Sequence, residues 1–339
     1  MPSTTDLRWD FAAEEHRVEE HLGRESLYLR RGTAIAEGVQ LEHGVFEFEM
    51  AFPLARDFPG GLFRAVDHQN HEAFFVRPHQ GGNPDATQYT PVFNGLMGWQ
   101  LYHGEPFQVP LELPCHEWVR MRFAFVGRRA EISVGAEAPI VVPLKRDVVA
   151  GSVGLLGGFF AGTHFSNFSV EAIEPDPAEL VQVAPSAPAA PGVIGAWDVS
   201  DPVADDRLEL LDLAGRSWTR LESEPSGLTD LARVNGLDEG RDTVFARAVV
   251  HSHGARAKRL EFGFSDRVRV YLNGRLLFSA DDSFRSRDYR FLGSIGWWDA
   301  LQLPLEDGPN ELVLAVSEEL GGWGVQARFP DPDGLAVEG

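Results

Sequence analysis

The chain has 339 residues, 43% of them apolar and 24% charged, with 51 acidic against 30 basic side chains and a formal charge of −21. That length accommodates about two domains, and the composition is that of a globular chain. The charge opposes nucleic acid as a partner, because the phosphate attraction that dominates such binding is reversed; nor does any apolar run reach the roughly 18 residues of a membrane span.

Met1 to Asp10 lacks the basic stretch and apolar run of a secretory signal, so a cytoplasmic location is expected unless a leader has been removed. The one cysteine, Cys115, excludes an internal disulfide and a cysteine-based zinc site. Propensity alone favours helix over Phe11 to Gly23, a weak prior on which nothing is built. The next runs read as strands. In Gly44-Val-Phe-Glu-Phe-Glu-Met-Ala-Phe52, Phe46, Phe48, Met50 and Phe52 share one face and Glu47 and Glu49 the other. Leu62 to Val66 and Ala73 to Arg77 flank a polar turn. Trp118 to Val126 and Ala130 to Val134 form a pair, and Val153 to Phe160 and His164 to Val170 follow. Gly151 to Gly158 lacks the Gly-Lys-Ser/Thr ending of a phosphate loop and reads as a glycine-punctuated strand.

Pro- and Ala-rich sequence marks residues 173–191 as a linker between domains at 1–172 and 192–339. Beyond it, Thr243 to Val250, Arg259 to Phe264 and Gly308 to Val316 read as strands. Val268 to Leu272 and Leu276 to Phe278 flank the hairpin signal Asn273-Gly274. Short strands joined by turns predict an all-β chain of two β-sandwich or jelly-roll domains.

Chemistry concentrates between Arg64 and His103. A sugar site needs planar polar forks and an aromatic plate. Arg64, Arg77, Gln88, Asn94 and Gln100 supply forks, and Tyr89, Trp99 and Tyr102 supply plates. Arg64 and Arg77 share a face only if the hairpin pairs residues whose numbers sum to an odd value. Acid–base work would fall to Glu72 or Asp85 with His71, though spacing does not pair them. His68-x-x-His71 lies in a predicted turn and lacks the helical geometry of a metal motif. A second surface is Phe284 to Phe291, read as a strand presenting Arg285, Arg287 and Tyr289, with Trp297 and Trp298 close behind.

The first piece resembles the laminin-G-like, concanavalin A-like jelly-roll superfamily over roughly residues 10–172. The resemblance rests on Gly44-Val-Phe-Glu-Phe-Glu, Gly61-Leu-Phe-Arg64, Phe75-Val-Arg-Pro78, Gln88-Tyr-Thr-Pro91, Trp118 with its strand and His164-Phe-Ser-Asn-Phe168. The second piece is similar to a galactose-binding-like jelly roll over about 192–331. Trp197-Asp-Val-Ser200, Val268 to Gly274, Gly308-Pro-Asn-Glu-Leu312 and Gly321-Gly-Trp-Gly324 carry that likeness. These resemblances imply a carbohydrate-binding protein with its glycan site on the concave sheet of the first domain. The Glu-x-Asp-x-x-Glu strand motif of jelly-roll glucanases is missing. A glycoside hydrolase or lyase using the same groove is the first alternative, and a non-catalytic assembly protein the second. An oligosaccharide or glycoside is the expected partner, and a homo-oligomer is compatible with this reading. No cofactor is required. The resemblance also admits a structural calcium ion, for which Asp266, Asp281, Asp282 and Glu318 are the oxygen donors.

Overall fold

The computed structural model describes residues 7–176, 190–205, 213–238, 240–287 and 292–338. Among them it is an all-β protein, with only short 3-10 turns at Pro78–Gln80 and Leu231–Arg233. No helix among the described residues is long and apolar enough to cross a membrane. Contacts divide the chain into two compact units, Met1–Val92 with Tyr102–Ala184, and Phe93–Leu101 with Pro185–Gly339. Most of the expected linker lies outside the described residues.

The strands up to the linker are β1 (Trp9–His21), β2 (Arg24–Ala36), β3 (Gly44–Ala51), β4 (Gly60–Asp67), β5 (Asn70–Val76), β6 (Thr87–Phe93), β7 (Leu96–Met97), β8 (Val119–Val126), β9 (Arg129–Val134), β10 (Ile140–Pro143), β11 (Ser152–Gly157) and β12 (Thr163–Ala172). In the first unit they run β10-β9-β8-β3-β12-β2-β11-β4-β5-β6, with β1 paired to β2. Strand β2 serves two layers. Its Leu27–Leu29 half pairs with β12, and its Gly32–Ile35 half pairs with β11. The change of partner falls where Arg31 and Gly32 take positive φ values of 49° and 145°. A Cβ on Gly32 would stand 2.0 Å from the Ala12 carbonyl oxygen, so only glycine fits this crossing.

The layers enclose one apolar core. Phe46, Phe48, Met50, Met121, Phe123 and Phe125 come from one side and Phe63, Phe74, Val76 and Leu155 from the other. The alternation read in Gly44–Phe52 is the alternation observed, since β3 buries every second residue. The helical leaning of Phe11–Gly23 does not survive. That segment is β1, paired with β2 from Trp9 to His21, because its ladder and its alternating burial override an Ala/Glu-rich propensity.

The second unit holds β7 and continues with β13 (Ala196–Ser200), β14 (Trp218–Glu222), β15 (Thr229–Asp230), β16 (Thr243–Ser252), β17 (Arg256–Ser265), β18 (Arg267–Leu272), β19 (Arg275–Asp281), β20 (Asp299–Leu305), β21 (Gly308–Ser317), β22 (Gly324–Arg328) and β23 (Leu335–Glu338). One sheet runs β14-β13-β16-β21-β18-β19, with β23 on β16, and a four-stranded sheet runs β15-β22-β17-β20. Val244, Ala246, Leu312, Leu314, Val268 and Val270 of the first face Leu260, Phe262, Phe264, Leu303 and Val325 of the second. Asn273 and Gly274 both have positive φ, as a tight turn between β18 and β19 requires. Phe284–Arg287 is not the expected strand. It is a turn in which Arg285 has φ 68°.

Candidate functional site

In the first unit, Arg64, His71, Glu72, Arg77, Gln88, Tyr89 and Tyr102 are all buried. Glu72 shares a strand face with Phe74 and Val76 and points into the apolar core. It is fully buried. Its Oε2 accepts from the Tyr89 hydroxyl at 2.6 Å and its Oε1 from the Arg146 main-chain amide at 3.0 Å. The Tyr89 oxygen in turn accepts from the Lys145 amide at 2.8 Å. Burial pushes the Glu72 carboxyl up, against the hydrogen bonds that favour its ionised form.

His71 is the next residue on an extended strand and so faces the opposite way. It is buried, and burial drives its pKa down to about 4. Asp85 is half-buried in the loop before β6, where its carbonyl accepts from Arg77 Nη1 at 2.6 Å. No hydrogen bond or ion pair among the described residues joins Asp85 to Glu72 or His71. The expected acid–base pair is therefore not assembled.

Arg64 and Arg77 have the odd-sum register that a shared face requires, with Gly60 opposite Phe75 and Phe63 opposite Glu72. A bulge between Phe63 and Asp67, with Arg64 at φ 49°, overturns the expected consequence. Arg64 turns inward. Its guanidinium carbon stands 5.5 Å from the Phe125 ring centre and its Nε donates to the Glu42 carbonyl at 2.9 Å. Arg77 stays on the other face and donates to Gln88 Oε1 at 3.0 Å. Gln88 spends its amide on the carbonyls of Tyr89 and Tyr102, at 2.6 and 2.7 Å. Tyr102 is buried against Phe107. Each of these forks and plates is used within its own unit.

Asn94, Trp99 and Gln100 were expected on the same sheet but belong to the second unit. Asn94 donates to the Ala232 carbonyl at 2.8 Å, and Trp99 meets Phe284 edge-on. Gln100 is buried, donating to the Leu292 carbonyl at 2.7 Å and accepting from Ser265 at 3.0 Å.

The four candidate calcium ligands do not form a cage. Asp266 Oδ2 accepts the amides of Glu319 and Leu320, Asp281 accepts from Ser283, Asp282 pairs with Arg287 at 3.2 Å, and Glu318 Oε1 accepts the Gly322 amide. No group of three or more such side chains among the described residues is placed to hold a metal ion. Burial raises Glu318 and Asp266, and raises Asp282 to about 6.

An open surface does exist on the outer face of the four-stranded sheet. Leu260, Phe262 and Phe264 of β17 point to the core, so Arg259, Glu261 and Gly263 point out. Register adds Ala300 opposite Glu261 and Gln302 opposite Arg259 from β20, and Arg328 from β22. Arg328 forks Glu261 Oε2 through Nε and Nη2, at 2.9 and 2.8 Å, and lies 4.3 Å from the Trp297 ring centre. Arg259 donates to the other Glu261 oxygen at 3.1 Å. The Arg328 hydrogen bonds, aided by the charges of both arginines, hold Glu261 below the usual carboxylate range.

The Gly296 main chain rests on this face at Gly263, and the Trp298 ring rests on Gly296. A Cβ on Gly263 would lie 2.0 Å from the Gly296 carbonyl oxygen, and one on Gly296 would lie 2.2 Å from the Trp298 ring. Trp298 donates to the Ser294 carbonyl at 3.0 Å and remains 50% exposed. Sequence reasoning found the two tryptophans but missed Arg259, Glu261, Gln302 and Arg328. The Arg-x-Glu-x-Gly alternation within β17 was the available signal; the partners on β20 and β22 depend on register. The other half of the expected second surface is occupied locally. Arg287 pairs with Asp299 at 2.7 Å, Arg285 covers Phe284, and Tyr289 lies outside the described residues.

No family model and no curated protein matches the chain. Among solved structures, it is similar to a carbohydrate-binding module, CBM66, from Bacillus subtilis, at 14% identity and TM-score 0.38 over 48% of this chain and 94% of that one. A β-glucanase from Bacillus licheniformis aligns at 11% identity and TM-score 0.36, over 50% and 94%. Domain 4 of AbnA, an extracellular arabinanase from Geobacillus stearothermophilus solved with arabinotriose, aligns at 12% and 0.28, over 51% and 82%.

Proposed function

We propose that this protein binds carbohydrate without cleaving it, and that the contact surface is the outer face of the β15-β22-β17-β20 sheet. One observation carries the reading. Trp298 lies against a glycine main chain with half its surface in solvent, and the same sheet face carries the exposed Arg259 and Gln302. A pyranose ring offers an apolar C–H face and equatorial hydroxyls. The indole takes the first by stacking, and Arg259 and Gln302 take the second. The hydrolase alternative that uses Glu72 as its acid is disfavoured, because a sealed carboxylate already holding two donors cannot reach a glycosidic oxygen.

Titrating the intact protein with a panel of neutral and acidic oligosaccharides, read by tryptophan fluorescence, tests this. At least one class should give saturable binding that Trp298→Ala weakens by about tenfold, the scale of a lost aromatic contact. Product chromatography on the same mixtures should show intact glycan. Unchanged affinity in Trp298→Ala, or no binding across the panel, defeats the reading.

A further inference from the structure

Resting on that reading, we infer that the preferred ligand is an acidic glycan, with a uronate carboxylate held on the free edge of Arg259. The argument is one of charge and unused donors. The outer face places two guanidinium groups around a single carboxylate, Glu261, so one positive charge on it is left uncompensated. That excess stands out on a chain whose formal charge is −21. Glu261 engages Arg259 only through Nε, and Arg328 only through Nε and Nη2. Both terminal nitrogens of Arg259 and Nη1 of Arg328 have no partner among the described residues.

These donors are accessible, with Arg259 57% and Arg328 36% exposed at the side chain. Glu261 fixes the near side of each guanidinium and leaves the far edge pointing away. Stacking on Trp297 further restricts Arg328. The free edge of Arg259, with two terminal nitrogens, matches the two oxygens of a carboxylate, the planar anion that arginine recognises best. A neutral hexose offers only hydroxyls there and gains no charge-assisted bond. Gln302, exposed opposite Arg259, is left for a neighbouring hydroxyl.

The probes are tetramers of galacturonate, glucuronate and mannuronate, each paired with its carboxyl-reduced neutral counterpart. Binding to the full chain is measured at 20 and 200 mM salt, concentrations chosen to span roughly a twofold or greater change in screening length. At least one uronate should bind about tenfold tighter than its reduced partner at low salt, with the gap narrowing at high salt. Arg259→Gln, an exposed substitution, should remove most of the gap by weakening the uronate far more than the reduced sugar. Trp298→Ala should weaken both. Equal binding of uronate and reduced sugar, or a gap indifferent to Arg259→Gln, overturns the inference and leaves the glycan face standing. Uronate binding that survives Trp298→Ala in full shows nonspecific ionic adhesion and also overturns it. Failure of every tetramer to bind removes the glycan face itself.

Discussion

At the scale of single residues, one set of side-chain chemistries serves two purposes, and packing decides which. Arg64, Glu72, Gln88 and Tyr89 have the planar donors and acceptors that a saccharide site uses. Here Glu72, Gln88 and Tyr89 bond one another, Arg77 and the main chain inside the first unit, while Arg64 is buried with only its Nε hydrogen-bonded. Residue type is legible in sequence; the direction in which a side chain points is legible only where the strand is regular. The bulge at Arg64 is an irregularity with no mark in the letters Phe-Arg-Ala. The structural role of the cluster has a measurable cost. Tyr89→Phe removes the hydroxyl that donates to Glu72 and accepts from the Lys145 amide. It leaves a buried carboxylate and a buried amide each short of a partner, so urea unfolding should show a loss of about 1–3 kcal/mol. Glycan affinity at the Trp298 face should not change. A stability-neutral Tyr89→Phe would mean that the buried network is not holding the segment around Lys145.

At the scale of elements, strands were readable wherever alternation was clean. In β3, Phe46, Phe48 and Met50 separate from Glu47 and Glu49, and the split is the one observed. The Asn273-Gly274 turn was readable because backbone geometry restricts which residues fit. Strand β1 was not, because Ala12-Ala-Glu-Glu15 speaks for helix locally and only the long ladder with β2 outvotes it. The candidate surface was half-readable for a related reason. Trp297 and Trp298 announce themselves, whereas the meeting of Glu261 with Arg328 depends on the register of strands 67 positions apart. The element that shapes this surface is the turn before β20. Its Gly296 is required by contact, since a Cβ there would meet the Trp298 ring at 2.2 Å. Gly296→Ala should therefore lift the indole from its seat. The expected readout is a shifted tryptophan emission and a glycan affinity reduced by about tenfold, with unfolding free energy altered by no more than about 1 kcal/mol. An unshifted emission with wild-type affinity would show that the ring does not depend on the glycine seat.

At the scale of the whole molecule, the two units carry buried titrating groups whose linkage to stability has opposite sign. His71, in the first unit, titrates near 4 when folded and near 6.5 when unfolded, because burial penalises its charged form. Its contribution is complete above about pH 6.5 and is lost as pH falls toward 4, since the unfolded chain then takes up a proton that the folded chain refuses. Asp282, in the second unit, titrates near 6 when folded against an ordinary 3.8, again through burial. Its contribution is complete below about pH 3.8 and is lost as pH rises through 6, where the unfolded chain releases its proton more readily. The His71 shift corresponds to about 3 kcal/mol across its window, and that of Asp282, a partly solvated group, to less. The windows overlap, so the intact protein can show a shallow pH dependence that conceals two steep ones. Comparison with neutral variants separates them. Relative to His71→Gln, the wild type should gain stability from pH 4 to 6.5; relative to Asp282→Asn, it should lose stability over the same range. Chemical unfolding at pH 4.5, 5.5 and 6.5 reads both differences. Arg287 attracts Asp282 only as it ionises, and that attraction is already part of the folded titration, so the slope and not the level carries the test. Two slopes of the same sign would mean that burial does not set the protonation of these groups.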